Sequence, residues 1–274
     1  MRKTFCIVLC LITMVFVQSP GLVIAQVNPE ITVIPQQIDP NKLPSLQQTY
    51  FAQLEEYRNQ EQKYLVAKNQ YHQLNTLASQ EVAVAETRQL LSLRANVFLT
   101  YIEILDELLN QGKGIPLENK NPERVFLSLL TDKVQIHKSA VESAQNRFAI
   151  DQESINFAPT YKLLESHTYY ILSLIKLGDM QVAYDKLLIA RDVVKSYVQD
   201  QTLSTAVRAE KDRGFDEIER NIKVMDKTFT PIKTKVYSSS ENKNLSAYSQ
   251  LSSELSPVYA QINQVIQFLE EVRK

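Results

Sequence analysis

The sequence predicts an all-α protein: an elongated helical bundle with an antiparallel coiled-coil extension and one very long N-terminal helix. Three observations carry this reading. Ser45 to Gln111 run for 67 positions without a glycine or proline. Phe215, Ile218, Ile222, Met225, Phe229, Ile232 and Val236 step by alternating threes and fours, and Leu255, Val258, Ile262, Val265, Leu269 and Val272 repeat that rhythm. Glycine and proline interrupt helices, and three-four apolar spacing marks a helix that lays a narrow seam against a partner.

The long helix is specified at both ends. Ser45 with Gln48 fits a capping box, Pro44 blocks backward extension, and Gly112, Gly114 and Pro116 supply the stop. At about 1.5 Å per residue it would span roughly 100 Å. Its first half repeats Tyr50, Tyr57, Tyr64 and Tyr71 every seven residues, continued by Ala78 and Ala85, with Leu54 and Leu74 alongside. Its second half is apolar over a wider arc, through Leu91, Ala95, Phe98, Ile102, Leu105 and Leu109 and the adjacent Leu90, Val97, Tyr101, Ile104 and Leu108. A wide face needs more neighbours than a narrow one, which places the second half in a bundle and the first in a thinner coiled coil. The rival arrangement breaks the helix near Asn75 to Ser79 and folds it back, since Asn, Thr and Ser disfavour a helix without forbidding it.

Residues 1–26 read as a secretory signal peptide. Arg2 and Lys3 form the positive start, Phe5 to Val17 the apolar stretch, and Val23-Ile24-Ala25 the cleavage region, with cleavage expected after Ala25. The alternative is an uncleaved anchor spanning Phe5 to Ala25, the only membrane attachment the sequence suggests. The expected location is therefore outside the cytoplasmic membrane: periplasmic, cell-surface or extracellular. Cys6 and Cys10 are the only cysteines, so the processed chain would have no disulfide and would rely on its core. Removing Arg2 and Lys3 from the 30 basic residues leaves 28 against 31 acidic ones, a formal charge of −3. Such a balance argues against nucleic acid or an anionic membrane surface as partner.

Residues 27–44 form a proline-rich extended spacer, with Pro29, Pro35, Pro40 and Pro44 and an apolar patch from Ile31 to Ile34. Residues 45–274 form one all-helical domain. A loop from Gly112 to Lys120 leads to Asn121 as N-cap and Pro122 at the first position of a second helix, which runs to about Gln152. A third helix opens at Pro159 and closes at Gly178, a fourth begins with Asp179 as N-cap and continues toward Gly214, and the two strict seams follow on either side of a polar turn at Ser238 to Asn244. Pro231 and Pro257 are expected to kink or bound those last helices. The assembled expectation is a four-helix part at about 80–213 and a coiled-coil part of about 45–79 with 215–273.

Leu177-Gly178-Asp179 followed by Ala183, Leu187 and Ala190 resembles the inter-helix turn and second helix of a tetratricopeptide repeat. The resemblance covers about one repeat of 34 residues; the first-helix positions carry His167, Tyr170, Ile171 and Leu174 where that family prefers an aromatic, Leu, Gly and an aromatic. It implies a single helical hairpin, and with it a groove near Leu163 to Ala190 for a peptide or small ligand.

Chemistry-bearing motifs are sparse. Of the three histidines, His72, His137 and His167, none stands three residues after a glutamate as helical di-metal sites require, so no metal and no cofactor is expected. His137 falls on the apolar stripe of its helix, where a core histidine with one hydrogen bond is expected. No Gly-x-Ser-x-Gly elbow or phosphate loop occurs, and no residue is nominated as catalytic. The candidate interaction residues are Tyr50, Tyr57, Tyr64 and Tyr71, either as stacking platforms for an extended ligand or as fillers of an intramolecular seam. The function expected is an exported, non-catalytic structural or interaction protein with a protein partner or a second copy of itself. An enzyme would need a polar site built from scattered carboxylates and tyrosines.

Overall fold

Asn75 adopts a left-handed backbone (φ 49°, ψ 35°), and around it the chain turns back on itself. A computed structural model describes residues 39–238 and 243–274; the signal-like segment, residues 27–38 of the spacer and most of the polar turn lie outside the described residues. Helix α1 is Lys42–Leu74 and α2 is Leu77–Gln111, in place of the single helix expected over 45–111. The break is chemically complete. Asn75 N–H donates to the Tyr71 carbonyl at 2.9 Å, closing α1, and Thr76 and Ser79 form a reciprocal capping box that opens α2. Asparagine tolerates the left-handed region better than other non-glycine residues, and the box satisfies two of the new helix's free amides.

The two helices pack antiparallel. Lys42 Nζ meets Glu107 Oε2 at 2.8 Å, the Tyr50 and Tyr101 rings lie 6.0 Å apart, Thr100 Oγ1 donates to Gln53 Oε1 at 2.8 Å, and Gln60 Nε2 donates to the Glu86 carboxylate at 2.5 Å. The tyrosine-bearing seam of α1 is thus covered by α2. A free rod would have left that seam wet; folding back buries it within the same chain.

Helix α3, Leu117–Ser143, starts at Leu117 with Pro116 as N-cap, earlier than the expected Asn121 start, so Pro122 sits within its opening turns. It ends before the expected Gln152 because Asn146 caps the next helix, its side-chain oxygen accepting from Ala149 N–H at 3.0 Å. That next helix, α4, is Arg147–Gln199, 53 residues without interruption through both Pro159 and Gly178. Proline removes one amide, and the carbonyl it leaves unpaired belongs to Ile155, an exposed residue where water can replace it.

Gly178 overturns the tetratricopeptide-like hairpin, because Leu177-Gly178-Asp179 is mid-helix. Its glycine has a different cause: a Cβ there would lie 2.6 Å from the Lys113 carbonyl oxygen and 2.6 Å from Ile115 Cγ1, where the α2–α3 loop crosses α4. Gly114, at φ +74°, faces it, and a Cβ there would come within 2.4 Å of the Gly178 oxygen. Alanine in a helix interior normally gains about 1 kcal/mol over glycine. Here Gly178→Ala is expected to lose about 1–3 kcal/mol instead, because the obstacle is backbone; denaturant unfolding of the variant measures the sign.

Helices α5, Thr205–Ser238, and α6, Leu245–Arg273, run antiparallel, tied by Lys235 to Glu254 at 2.8 Å and by Lys211 Nζ to the Val272 carbonyl at 2.6 Å. They pack on the second half of α4, not along residues 45–79 as expected. Tyr184 donates to Asp226 at 2.5 Å, Lys233 to Gln181 at 2.9 Å, and Lys176 to Ser252 at 2.8 Å. The expected seams are buried: Phe215, Ile218, Ile222, Met225, Phe229 and Ile232 on α5, and Leu255, Val258, Ile262, Val265, Leu269 and Val272 on α6. Pro231 and Pro257 lie inside these helices. The described residues therefore form six helices: α1 packs on α2, and α4 is shared between two groups, its first half with α2 and α3 and its second half with α5 and α6.

Candidate functional site

Sequence analysis nominates the tyrosine ladder, and the structure puts all four residues on the α1 face that meets α2. Tyr50 is buried, packs edge-on against Phe51 at 5.7 Å, and has its hydroxyl pushed up to about 12 by burial. Tyr57, Tyr64 and Tyr71 are half-buried along the edge of the hairpin. Lys68 Nζ lies 5.7 Å over the Tyr64 ring, and Tyr71 stacks loosely beside His72 at 5.9 Å. The rings are interleaved with buried Leu54, Gln60 and Ala67.

A second constellation, which sequence reasoning missed, lies where the two helix groups meet. Glu123 of α3, His167 of α4 and Lys243, just before α6, converge although 44 and 120 residues separate Glu123 from its partners. His167 Nδ1 is 2.6 Å from Glu123 Oε2, and Lys243 Nζ is 3.0 Å from Oε1. Burial pushes the Glu123 carboxyl up, but the bonds from His167 and Lys243 outweigh it and hold the group below its ordinary range. An ionised carboxylate only accepts, so the Nδ1 proton points at Glu123. The 3.4 Å approach of Lys243 Nζ to the same nitrogen is then a contact in which the protonated Nδ1 has no lone pair to accept from the ammonium.

Aromatic rings enclose this cluster. Phe126 stacks on His167 with centroids 3.5 Å apart, and Lys243 lies 4.5 Å over the Tyr170 ring. Burial and then the Glu123 charge raise the Tyr170 hydroxyl, while burial, with Tyr170 and Glu118 nearby, pushes Tyr237 up to about 12. Both carboxylate oxygens are engaged. The arrangement is an electrostatic latch joining α3, α4 and the start of α6, not a site with an oxygen turned toward a substrate. No local motif announces it; an acid at 123, an imidazole at 167 and an ammonium at 243 have meaning only once the helices are in place.

His137 differs from expectation. It is buried and stacked on Phe157 at 4.0 Å, yet neither ring nitrogen has a hydrogen-bond partner. Burial, reinforced by the Arg94 charge, pushes its pKa down to about 4. Arg94 is itself lowered by burial, has its Nε unpartnered, and lies 5.8 Å over the Phe157 ring.

An open cleft of about 310 Å³ between α2 and α3 is lined by Ala85, Arg88, Gln89, Ser92, Leu93 and Glu142, with Ser92 donating to Glu142 at 2.6 Å. Among the described residues, no three His, Cys, Asp or Glu side chains converge as a metal site requires, and no helix is long and apolar enough to cross a membrane. Two helix faces do carry apolar side chains at helical spacing in solvent: Val125, Leu129 and Ile136 on α3, and Ile189, Val193 and Tyr197 on α4. Comparison with protein-family models, curated proteins and solved structures returned no match.

Proposed function

We propose that this chain is an exported, non-catalytic structural and interaction protein that uses helical-bundle and coiled-coil surfaces to bind other envelope or extracellular components. The observation that carries the reading is the pair of exposed apolar stripes. Ile189, Val193 and Tyr197 recur every four residues on α4 and are 59%, 62% and 52% exposed, so more than half of each faces solvent rather than the core. Scattered surface hydrophobes are ordinary, but a row along one helix face is the form a helix-binding partner requires. The seams of α5 and α6 support a coiled-coil organisation of that end, and Arg2, Lys3 and the apolar stretch after them support export.

Two measurements test this. Amino-terminal sequencing of the chain recovered from outside the cytoplasmic membrane is expected to begin at Gln26; a chain confined to the cytoplasm at full length overturns the export reading. A photo-crosslinking amino acid at Val193 is expected to give a discrete adduct in intact cells, lost when Ile189 and Tyr197 are changed to Gln and Ser while the melting temperature is kept. Adduct-free labelling at Val193 and at Leu129 alike overturns the interaction reading.

A further inference from the structure

The cleft between α2 and α3 differs from the apolar stripes in holding two opposite charges that are not spent on each other. Ala85, Arg88, Gln89, Ser92 and Leu93 line it from one face of α2, and Glu142 lines it from the end of α3. Ser92 donates to Glu142 Oε1 at 2.6 Å, and Lys138 Nζ lies 3.8 Å from that same oxygen. Glu142 Oε2 is left without a partner among the described residues, and so is the Arg88 guanidinium. Ser92 and Lys138 thus hold the carboxylate by one oxygen and leave the other to the cleft.

We infer that this cleft binds a dipeptide-sized zwitterion, its carboxylate on Arg88 and its ammonium on Glu142 Oε2. A simple anion answers only the guanidinium and meets the Glu142 charge as a repulsion; a simple cation has the converse fault. Size favours a dipeptide over a free amino acid. Arg88 stands four residues, about 6 Å of helical rise, from the Ser92 that positions Glu142. An extended dipeptide separates its charged ends by roughly 6–7 Å, an α-amino acid by about half that. The volume of about 310 Å³ lies at the small end of ligand sites. Guanidinium and carboxylate fit as a planar fork, and Ala85 and Leu93 offer apolar contact to small side chains. The inference goes beyond the interaction role, which concerns other helix faces, so either can fail alone.

Titrating alanylalanine into the isotope-labelled full chain, with backbone amide resonances as readout, tests this site. The expected result is saturable shifts at Gln89 and Ser92 with a dissociation constant of about 1 mM, as suits two charge-assisted contacts in a cleft open to water. The N-acetyl and C-amide forms of the dipeptide, each lacking one charge, are expected to bind at least about fivefold more weakly. Arg88→Gln should weaken alanylalanine by the same factor without further weakening the C-amide, and Glu142→Gln should do the same with respect to the N-acetyl form. Both variants are expected to keep the parent melting temperature within about 2 °C, since Arg88 has no partner to lose and glutamine still accepts from Ser92. Absence of saturable shifts up to about 50 mM overturns the inference. So does equal binding of all three ligands, or a loss confined to one of the two blocked forms, which would mark a site for a single charged terminus.

Discussion

Replacing Glu123 with alanine is expected to cost about 3–5 kcal/mol of folding stability, the range found when one member of a buried ion pair is removed. The carboxylate is 5% exposed and answers two cationic or donor groups at once. Its removal strands the His167 Nδ1 proton and the Lys243 ammonium among Phe126 and Tyr170. Urea unfolding of Glu123→Ala, His167→Ala and the double variant measures the coupling: losses should be strongly non-additive, the double costing little more than E123A alone. The acid dependence has a definite sign. Because the folded carboxyl lies below its ordinary value, its contribution is present above the unfolded pKa and is lost as pH falls through the folded one. Glu123→Gln should therefore flatten the acid limb of the stability curve below about pH 4.5. A loss below about 1 kcal/mol in E123A would mean the latch is screened by water.

His137→Leu is expected to act in the opposite direction. The imidazole is 5% exposed, has no hydrogen-bond partner, and titrates near 4 in the folded chain against 6.5 unfolded. A folded pKa lowered in this way leaves stability intact above pH 6.5 and erodes it as pH falls toward 4, because the unfolded chain takes up the proton first. That lowering corresponds to about 3 kcal/mol once pH is below both values. Leucine removes that penalty and two unpaired nitrogens, so H137L should gain about 1 kcal/mol at pH 7 and about 3–4 kcal/mol at pH 4 relative to the parent. Parallel denaturant curves at the two pH values check this; equal gains at both would show that the folded imidazole titrates as it does in the unfolded chain and is not held down by burial.

These two positions show how unevenly the sequence discloses its contents. His137 was legible as a core residue from its place on the apolar stripe of α3, but its missing hydrogen bonds depend on what Arg94 and Phe157 bring to it from other helices. Glu123 and Lys243 carried no signal, since an isolated charge in an amphipathic helix reads as a solvated one. Gly178 carried a misleading one. Glycine before aspartate reads as a helix end, and the tertiary cause, the Gly114 loop crossing within van der Waals distance, lies more than sixty residues away. The tyrosine ladder was legible as a seam, and its partner was found in the same chain.

By itself the sequence determined the all-helical class, the buried seams of α5 and α6 and the apolar arc of α2, because apolar periodicity is a local property that any partner must respect. Only the tertiary structure decided where helices stop and what covers them. Asn75, with the Thr76–Ser79 box, breaks a helix that the absence of glycine and proline would have let continue, while Pro159 and Gly178 are carried through one they would ordinarily end. In each case a local preference of about 1–3 kcal/mol was set against the packing of whole helix faces. The face offering more apolar burial prevailed.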